Sequence, residues 1–286
     1  MNLQNIALEV PGQQTGAATL TTYILDPVSV ASDKRRPAVV VIPGGGYRFC
    51  SDRESEPIVM QFLAMGYHAF LLNYSVAPNR FPVALQEAGL AVATIREHAD
   101  EWQVDPDAIL LCGFSAGGHL ACSLGTFWNK AQIFELIERT PNDVRPNGLI
   151  LGYPVITSGE FRHTGSFEKL LGLDLSGEID GGELLLTERA LAVVSLEQQV
   201  SDQMPPVFLW HTRTDENVPV ENSLMLAMAM QKNGVDYEMH IFPEGRHGLA
   251  LANEETGGND ETLTVPCCQT WISLVQSWIE NKYRKK

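Results

Sequence analysis

Ile109-Leu110-Leu111-Cys112-Gly113-Phe114-Ser115-Ala116-Gly117-Gly118-His119-Leu120-Ala121 is the stretch that decides the architecture. Its first half is a continuous apolar run, the pattern of a strand covered on both faces. Its second half opens a helix of small residues with no linker between. A strand that turns at once into a helix leaves Ser115 at the bend in a strained backbone conformation, and Gly113 and Gly117 let the two elements approach closely. The same alternation runs outward in both directions. Strand-like runs lie at Ala38–Ile42, His68–Tyr74, Ala108–Phe114, Gly148–Tyr153, Val207–His211 and Tyr237–Phe242. Helix-period segments lie at Glu54–Met65, Pro82–Trp102, Ala116–Phe127, Pro219–Asn233 and Val265–Lys282. Strand and helix in turn predict right-handed crossovers and a three-layer α/β fold, a mostly parallel sheet with helices on both faces. Ahead of Pro37, Ile6–Val10 and Ala18–Leu25 alternate more loosely, as an antiparallel lead-in hairpin would.

The chain of 286 residues is 44% hydrophobic and 19% charged, enough apolar material for a sizeable core. We expect one domain over residues 1–286. The stretch Thr157–Ser201 breaks the rhythm, since it is rich in Gly, Ser and acids, with short helical pieces such as Ser166–Leu171. It reads as a small cap-like insertion over the C-terminal edge of the sheet, the edge where open α/β sheets bind ligands.

A formal net charge of −15, from 35 acids against 20 Lys and Arg, repels phosphate backbones and anionic lipid. Nucleic-acid and membrane-surface partners are therefore not expected. The basic cluster Lys282, Arg284, Lys285 and Lys286 reads as a solvated terminus. No run approaches the roughly 18 apolar residues of a membrane helix. Met1–Gly12 has neither the basic nor the apolar region of a secretory signal. The five cysteines (Cys50, Cys112, Cys122, Cys267 and Cys268) are an odd set without metal-type spacing, which fits a reducing compartment; a cytoplasmic location is the expectation. No His, Cys or carboxylate cluster has metal-site spacing and no G-x-G-x-x-G follows a strand, so neither metal nor cofactor is expected. Oligomeric state is not legible.

Gly113-Phe114-Ser115-Ala116-Gly117 is a G-x-S-x-G, and at a strand–helix junction it points to a serine nucleophile. Acyl transfer also needs N–H donors aimed at the developing oxyanion. Ile42-Pro43-Gly44-Gly45-Gly46-Tyr47, after the first buried strand, suits that role, because glycines turn their N–H groups outward with no side chain in the way. Ala116, with Gly45 and Gly46, is the expected oxyanion hole. No Lys follows the triplet, so a phosphate loop is not indicated. On such a sheet the acid and the base follow the serine in that order, each after a strand. His240 lies inside a strand and reads as structural. His247, in Gly245-Arg246-His247-Gly248, is the expected base. Asp215, at the tip of Thr212–Pro219, is the expected acid, with Glu216 its neighbouring rival.

Four features in this order resemble the α/β-hydrolase esterases that include acetylxylan and sugar-ester esterases, a group overlapping the hormone-sensitive-lipase-like lineage. The resemblance rests on Pro43–Tyr47, Gly113–His119, Asp215-x-x-Val218-Pro219 and Gly245-x-His247-Gly248, and runs from about Arg36 to the C-terminus. It also takes in Tyr153-Pro154-Val155-Ile156 and His163-Thr164-Gly165-Ser166. Pro43 stands where a His often precedes the glycines, which favours the Pro-Gly-Gly-Gly-Tyr subgroup over lipases. The resemblance implies a serine esterase acting on a small ester, including acetyl groups on sugars. Amide cleavage, by a peptidase or arylformamidase on the same three residues, stays open, as does a binding protein that kept the fold. Tyr47, Arg53 and His163 are candidate substrate contacts. Ser51-x-x-Glu54 reads first as a capping box, His119 as a packed residue, and Cys112 as core.

Overall fold

The computed structural model describes residues 1–30, 33–175 and 181–283. Eight strands form one sheet: β1 (Asn2–Leu8), β2 (Ala18–Ile24), β3 (Arg36–Ile42), β4 (His68–Asn73), β5 (Val104–Phe114), β6 (Gly148–Gly152), β7 (Val207–Thr212) and β8 (Tyr237–Phe242). Their order across the sheet is β1-β2-β4-β3-β5-β6-β7-β8. β1 and β2 pair antiparallel, and β2 pairs antiparallel with β4; the remaining pairs are parallel. The lead-in hairpin therefore exists, but its first strand starts at Asn2, earlier than the apolar pattern suggests, because most of β1 lies exposed at the sheet edge and carries little periodic signal.

Alternation along β3 sorts its side chains between two cores. Ala38, Val40 and Ile42 face one, with α2 (Val83–Glu97) and α3 (Ala116–Phe127). Val39 and Val41 face the other, with α1 (Glu56–Ala64) and, at the end of the chain, α7 (Trp271–Tyr283). Each buried Val or Ile contributes about 1.5–3 kcal/mol relative to exposure, so a strand greasy on both faces has nowhere to sit but between two helical layers. α2 stops at Glu97, short of the expected Trp102. The chain turns there, the His98 ring stacks on Trp102 with centroids 4.5 Å apart, and Trp102 packs on Phe70 of β4.

Between β6 and β7 the chain passes through α4 (Thr164–Leu171) and α5 (Gly181–Val194). Phe167, Leu170 and Val194 pack into the first core, while His163 and Gly165 stand at the rim of a cleft. Residues 176–180 of the expected insertion, and Arg284, Lys285 and Lys286 of the basic tail, lie outside the described residues. α6 (Glu221–Asn233) crosses from β7 to β8. Among the described residues no helix is long and apolar enough to cross a membrane.

The register puts the strand ends level: Ile42 lies opposite Gly113, Phe114 opposite Gly152, Gly152 opposite Trp210, and Thr212 opposite Phe242. The loops leaving β3, β5, β6, β7 and β8 consequently open on the same edge.

Candidate active site

Ser115 links β5 to α3 with φ +52° and ψ −118°, a conformation L-residues rarely adopt. The bend is possible because both flanking glycines are pressed against backbone. A Cβ on Gly117 would lie 2.1 Å from the Ile42 carbonyl oxygen, and one on Gly113 would lie 2.3 Å from that of Gly117. The Ser115 N–H donates to Gly152 O at 3.0 Å, and its carbonyl accepts from Val155 N–H at 3.1 Å, so the elbow is pinned to β6. The hydroxyl is left pointing off the sheet edge.

Asp215 and His247 meet it there. Ser115 Oγ–H donates to His247 Nε2 at 2.8 Å, and His247 Nδ1–H donates to Asp215 Oδ2 at 2.6 Å. The three residues come from the loops after β5, β7 and β8. Asp215 is 5% exposed and is held from within its own loop, where Oδ1 accepts from the N–H groups of Asn217 and Val218 at 3.0 and 2.9 Å. His211 Nε2 lies 3.3 Å from Oδ2 and 2.9 Å from Val218 O, while Nδ1 takes the Ser223 hydroxyl at 2.7 Å. With its proton on Nε2, His211 is a donor toward the acid. Burial works to raise the Asp215 carboxyl, but hydrogen bonds from His211 and His247, the His247 charge and the Val218 N–H outweigh it, so the group is held well below the usual carboxylate range. Glu216 points into solvent.

The glycine loop after β3 faces the elbow. Gly45 has φ +128°, and a Cβ there would sit 2.0 Å from Phe49 O. Among the described residues no acceptor takes the N–H of Gly45, Gly46 or Ala116, the last being the first residue of α3, where helix N–H groups have no partner of their own. The Gly44 N–H, by contrast, is taken by Glu54 Oε2 at 2.8 Å. A cleft of about 460 Å³ runs over Ser115 and His247, walled by Gly45, Arg48, Arg53 and His163.

Two expectations need correction. Tyr47 is 3% exposed and its hydroxyl is hydrogen-bonded to His119 Nδ1 at 2.8 Å, so it braces the glycine loop against α3 instead of facing the cleft. Ser51 and Glu54 do not make a capping box: Ser51 makes no side-chain cap bond, and Glu54 is 3% exposed, tied to Gly44 and to the Tyr153 hydroxyl. Arg53 lines the cleft, but its Nε and Nη2 donate to the carbonyls of Thr256 and Gly248, so much of its hydrogen-bonding capacity is spent within the protein. His163 stands in the wall and caps α4, accepting the Ser166 N–H; burial first, then the His247 and Arg48 charges, lower its pKa. His119 is packed, as expected, with Nε2 on Val194 O. His240 pairs with Glu238 on β8, away from the cleft. Sequence reading missed Tyr153, His211 and Arg48. His211 left a trace four residues before the expected acid, and Tyr153 as the first residue of the Tyr153-Pro154-Val155-Ile156 motif, but neither carried a role there.

The topology and the hydroxyl seated at the strand–helix elbow place the chain among the α/β hydrolases. More narrowly, it belongs to the BD-FAE family, whose model matches residues 28–230. It is 37% identical over 233 residues to endo-1,4-beta-xylanase B of Butyrivibrio fibrisolvens, covering 78% of this chain and 34% of that protein. It is 30% identical over 220 residues to an acetylxylan esterase of Xylanibacter ruminicola, covering 75% of this chain and 41% of the other. The chain thus spans well under half the length of either relative. Among solved structures it is similar to an acetyl ester-xyloside bifunctional hydrolase from Caldicellulosiruptor lactoaceticus, at 37% identity and a TM-score of 0.79, over 97% of this chain and 96% of that one. The lineage expected from the motifs is the one these relatives represent.

Proposed function

We propose that this chain hydrolyses carboxylic esters of small acyl groups, with acetylated sugars such as xylo-oligosaccharides as substrates, through Ser115, His247 and Asp215. The observation that carries the reading is the continuous hydrogen-bonded path from the Ser115 hydroxyl through His247 to Asp215. In this mechanism His247 takes the Ser115 proton as Oγ attacks the ester carbonyl, and Asp215 holds the imidazole in the tautomer that leaves Nε2 free to accept. The N–H groups of Ala116 and Gly45, with Gly46 beside them, receive the oxyanion; donors of this kind are worth on the order of 3 kcal/mol each. His247 then returns the proton to the leaving alcohol, and water attacks the acyl-enzyme by the reverse route.

The substrate class draws on the acetylxylan-esterase and acetyl ester-xyloside hydrolase relatives and on the character of the cleft. Its wall carries Arg48, Arg53, His163 and Asn217, with Phe49 as the one large apolar side chain among the described lining residues. Such a wall offers hydrogen bonds to sugar hydroxyls and little greasy surface to a long acyl chain. No observation favours the amide-cleaving alternative. The decisive assay is turnover of p-nitrophenyl acetate by Ser115→Ala, which we expect to fall by at least about 10³-fold; hydrolysis at the wild-type rate would remove Ser115 from the mechanism. A panel of acetate, butyrate and octanoate esters alongside acetylated xylo-oligosaccharides tests the substrate, with acetate expected to be preferred.

A further inference from the structure

We propose that Glu54, acting with Tyr153, is a positioning residue that ties the oxyanion loop to the His247 loop and keeps the two in catalytic register. The inference rests on the reading of Ser115, His247 and Asp215 given above. The two loops have no direct bond through the sheet, since β3 and β8 are separated by β5, β6 and β7. A path through side chains joins them. Glu54 Oε2 accepts the Gly44 N–H at 2.8 Å, directly before the residues that would bind the oxyanion. Its other oxygen, Oε1, accepts the Tyr153 hydroxyl at 2.7 Å. The Tyr153 oxygen in turn accepts the Ala250 N–H at 2.9 Å, three residues beyond His247. The Tyr153 ring meets the His247 imidazole edge-on, with centroids 5.1 Å apart at 73°. Arg53 adds a parallel tie from the same turn by donating to Gly248 O at 2.7 Å and to Thr256 O.

A helix or a cap does not need this arrangement. Glu54 is buried, 3% exposed, a costly placement for a carboxyl group unless its oxygens are engaged. Both oxygens are committed, one to each side of the site. Tyr153 is strained as well, a non-glycine residue at φ +36°, and such strain persists only where surroundings impose it. Burial, then the Glu54 charge, push its phenol well above the ordinary value, so it remains a donor throughout the working pH range. The geometry required of the oxyanion donors and of the base is narrow, and a displacement of about 1 Å costs on the order of 10²-fold in rate.

The test is kinetic, on the whole chain with p-nitrophenyl acetate as substrate and phenylboronic acid as the inhibitor whose adduct resembles the tetrahedral intermediate. For Tyr153→Phe and Glu54→Gln we expect kcat to fall about 10²-fold, KM to move less than about twofold, and the boronic acid Ki to rise in parallel with the loss in kcat. The double variant is expected to lose no more than the worse single one, because both residues act along one path. A purely structural role would lower Tm without separating kcat from KM or weakening the boronate. The proposal is overturned if Tyr153→Phe retains wild-type kcat and boronate affinity, if the loss falls on KM alone, or if the two substitutions add independently. Should Glu54→Gln fail to fold, Tyr153→Phe, which removes a single oxygen, decides alone. Activity surviving Ser115→Ala would end the catalytic reading itself; an inactive Ser115→Ala beside an unimpaired Tyr153→Phe would end only this inference.

Discussion

Asp215 shows how much one side chain's role depends on its own loop. Two backbone N–H groups orient Oδ1, leaving Oδ2 aimed at His247. Asp215→Asn would present an amide where the imidazole needs an acceptor, and the expected outcome is a kcat about 10⁴-fold lower, measured on p-nitrophenyl acetate. Glu216→Gln, one residue on and solvent-exposed, should stay near wild type in the same assay. Because the folded Asp215 pKa is depressed, its contribution to stability is complete above the unfolded carboxylate value and is lost as pH falls through the folded one. The acid-side decline of Tm below about pH 4 should therefore be shallower in Asp215→Asn than in wild type. Order along the chain leads to the Thr212–Pro219 loop, although burial is what separates Asp215 from its exposed neighbour Glu216. Order is not enough for Glu54: a Ser-x-x-Glu pattern has the same letters whether the carboxylate folds back on a helix end or runs inward to Gly44.

Among the elements, the strand–elbow–helix unit is the most legible, since a buried strand, a serine and small residues in succession allow few other geometries. Its tightest point is Gly117 against the Ile42 carbonyl. Gly117→Ala should destabilise by at least about 3 kcal/mol, read as a lower urea midpoint or as loss of soluble protein. Gly45→Ala is a different case: both its φ and the nearby Phe49 carbonyl forbid a Cβ, but the strain falls on an open loop. We expect a fold that survives and a kcat reduced about 10²–10³-fold, with the two effects separated by parallel unfolding and rate measurements. Helix ends are less legible. α2 continues in apolar pattern to Trp102 while the backbone leaves the helix after Glu97, because burying Trp102 against β4 outweighs one more turn.

At the scale of the whole molecule, two buried neutral histidines make stability depend on pH independently of catalysis. Burial first lowers His68, with Arg36 adding to it, to about 4, and burial lowers His119 to about 4. Each folded pKa lies below the unfolded value near 6.5, so their contributions are complete above that value and decline as pH falls toward 4. The loss reaches on the order of 3 kcal/mol for each group. Tm should accordingly drop by several degrees between pH 6.5 and 4, and His68→Gln should flatten that slope when followed by differential scanning calorimetry. The packing of His119 is legible from its place on the helix after Ser115, but that of His68 is not, because its burial is a property of the assembled core.

What residue order alone determined was the alternation of buried strands with helices, the serine at a strand–helix junction, and a candidate acid and a candidate base in succession after later strands. Those follow from local periodicity and turn chemistry, which act over a few residues. Only the tertiary structure decided that Glu54 and Tyr153 join the glycine loop to the His247 loop, that His211 stands behind Asp215, and that Tyr47 faces inward. These contacts link residues from 4 to 99 positions apart. Whether a polar side chain turns toward solvent or toward a buried partner depends on which strand ends the sheet brings level, and no short stretch of sequence carries that information.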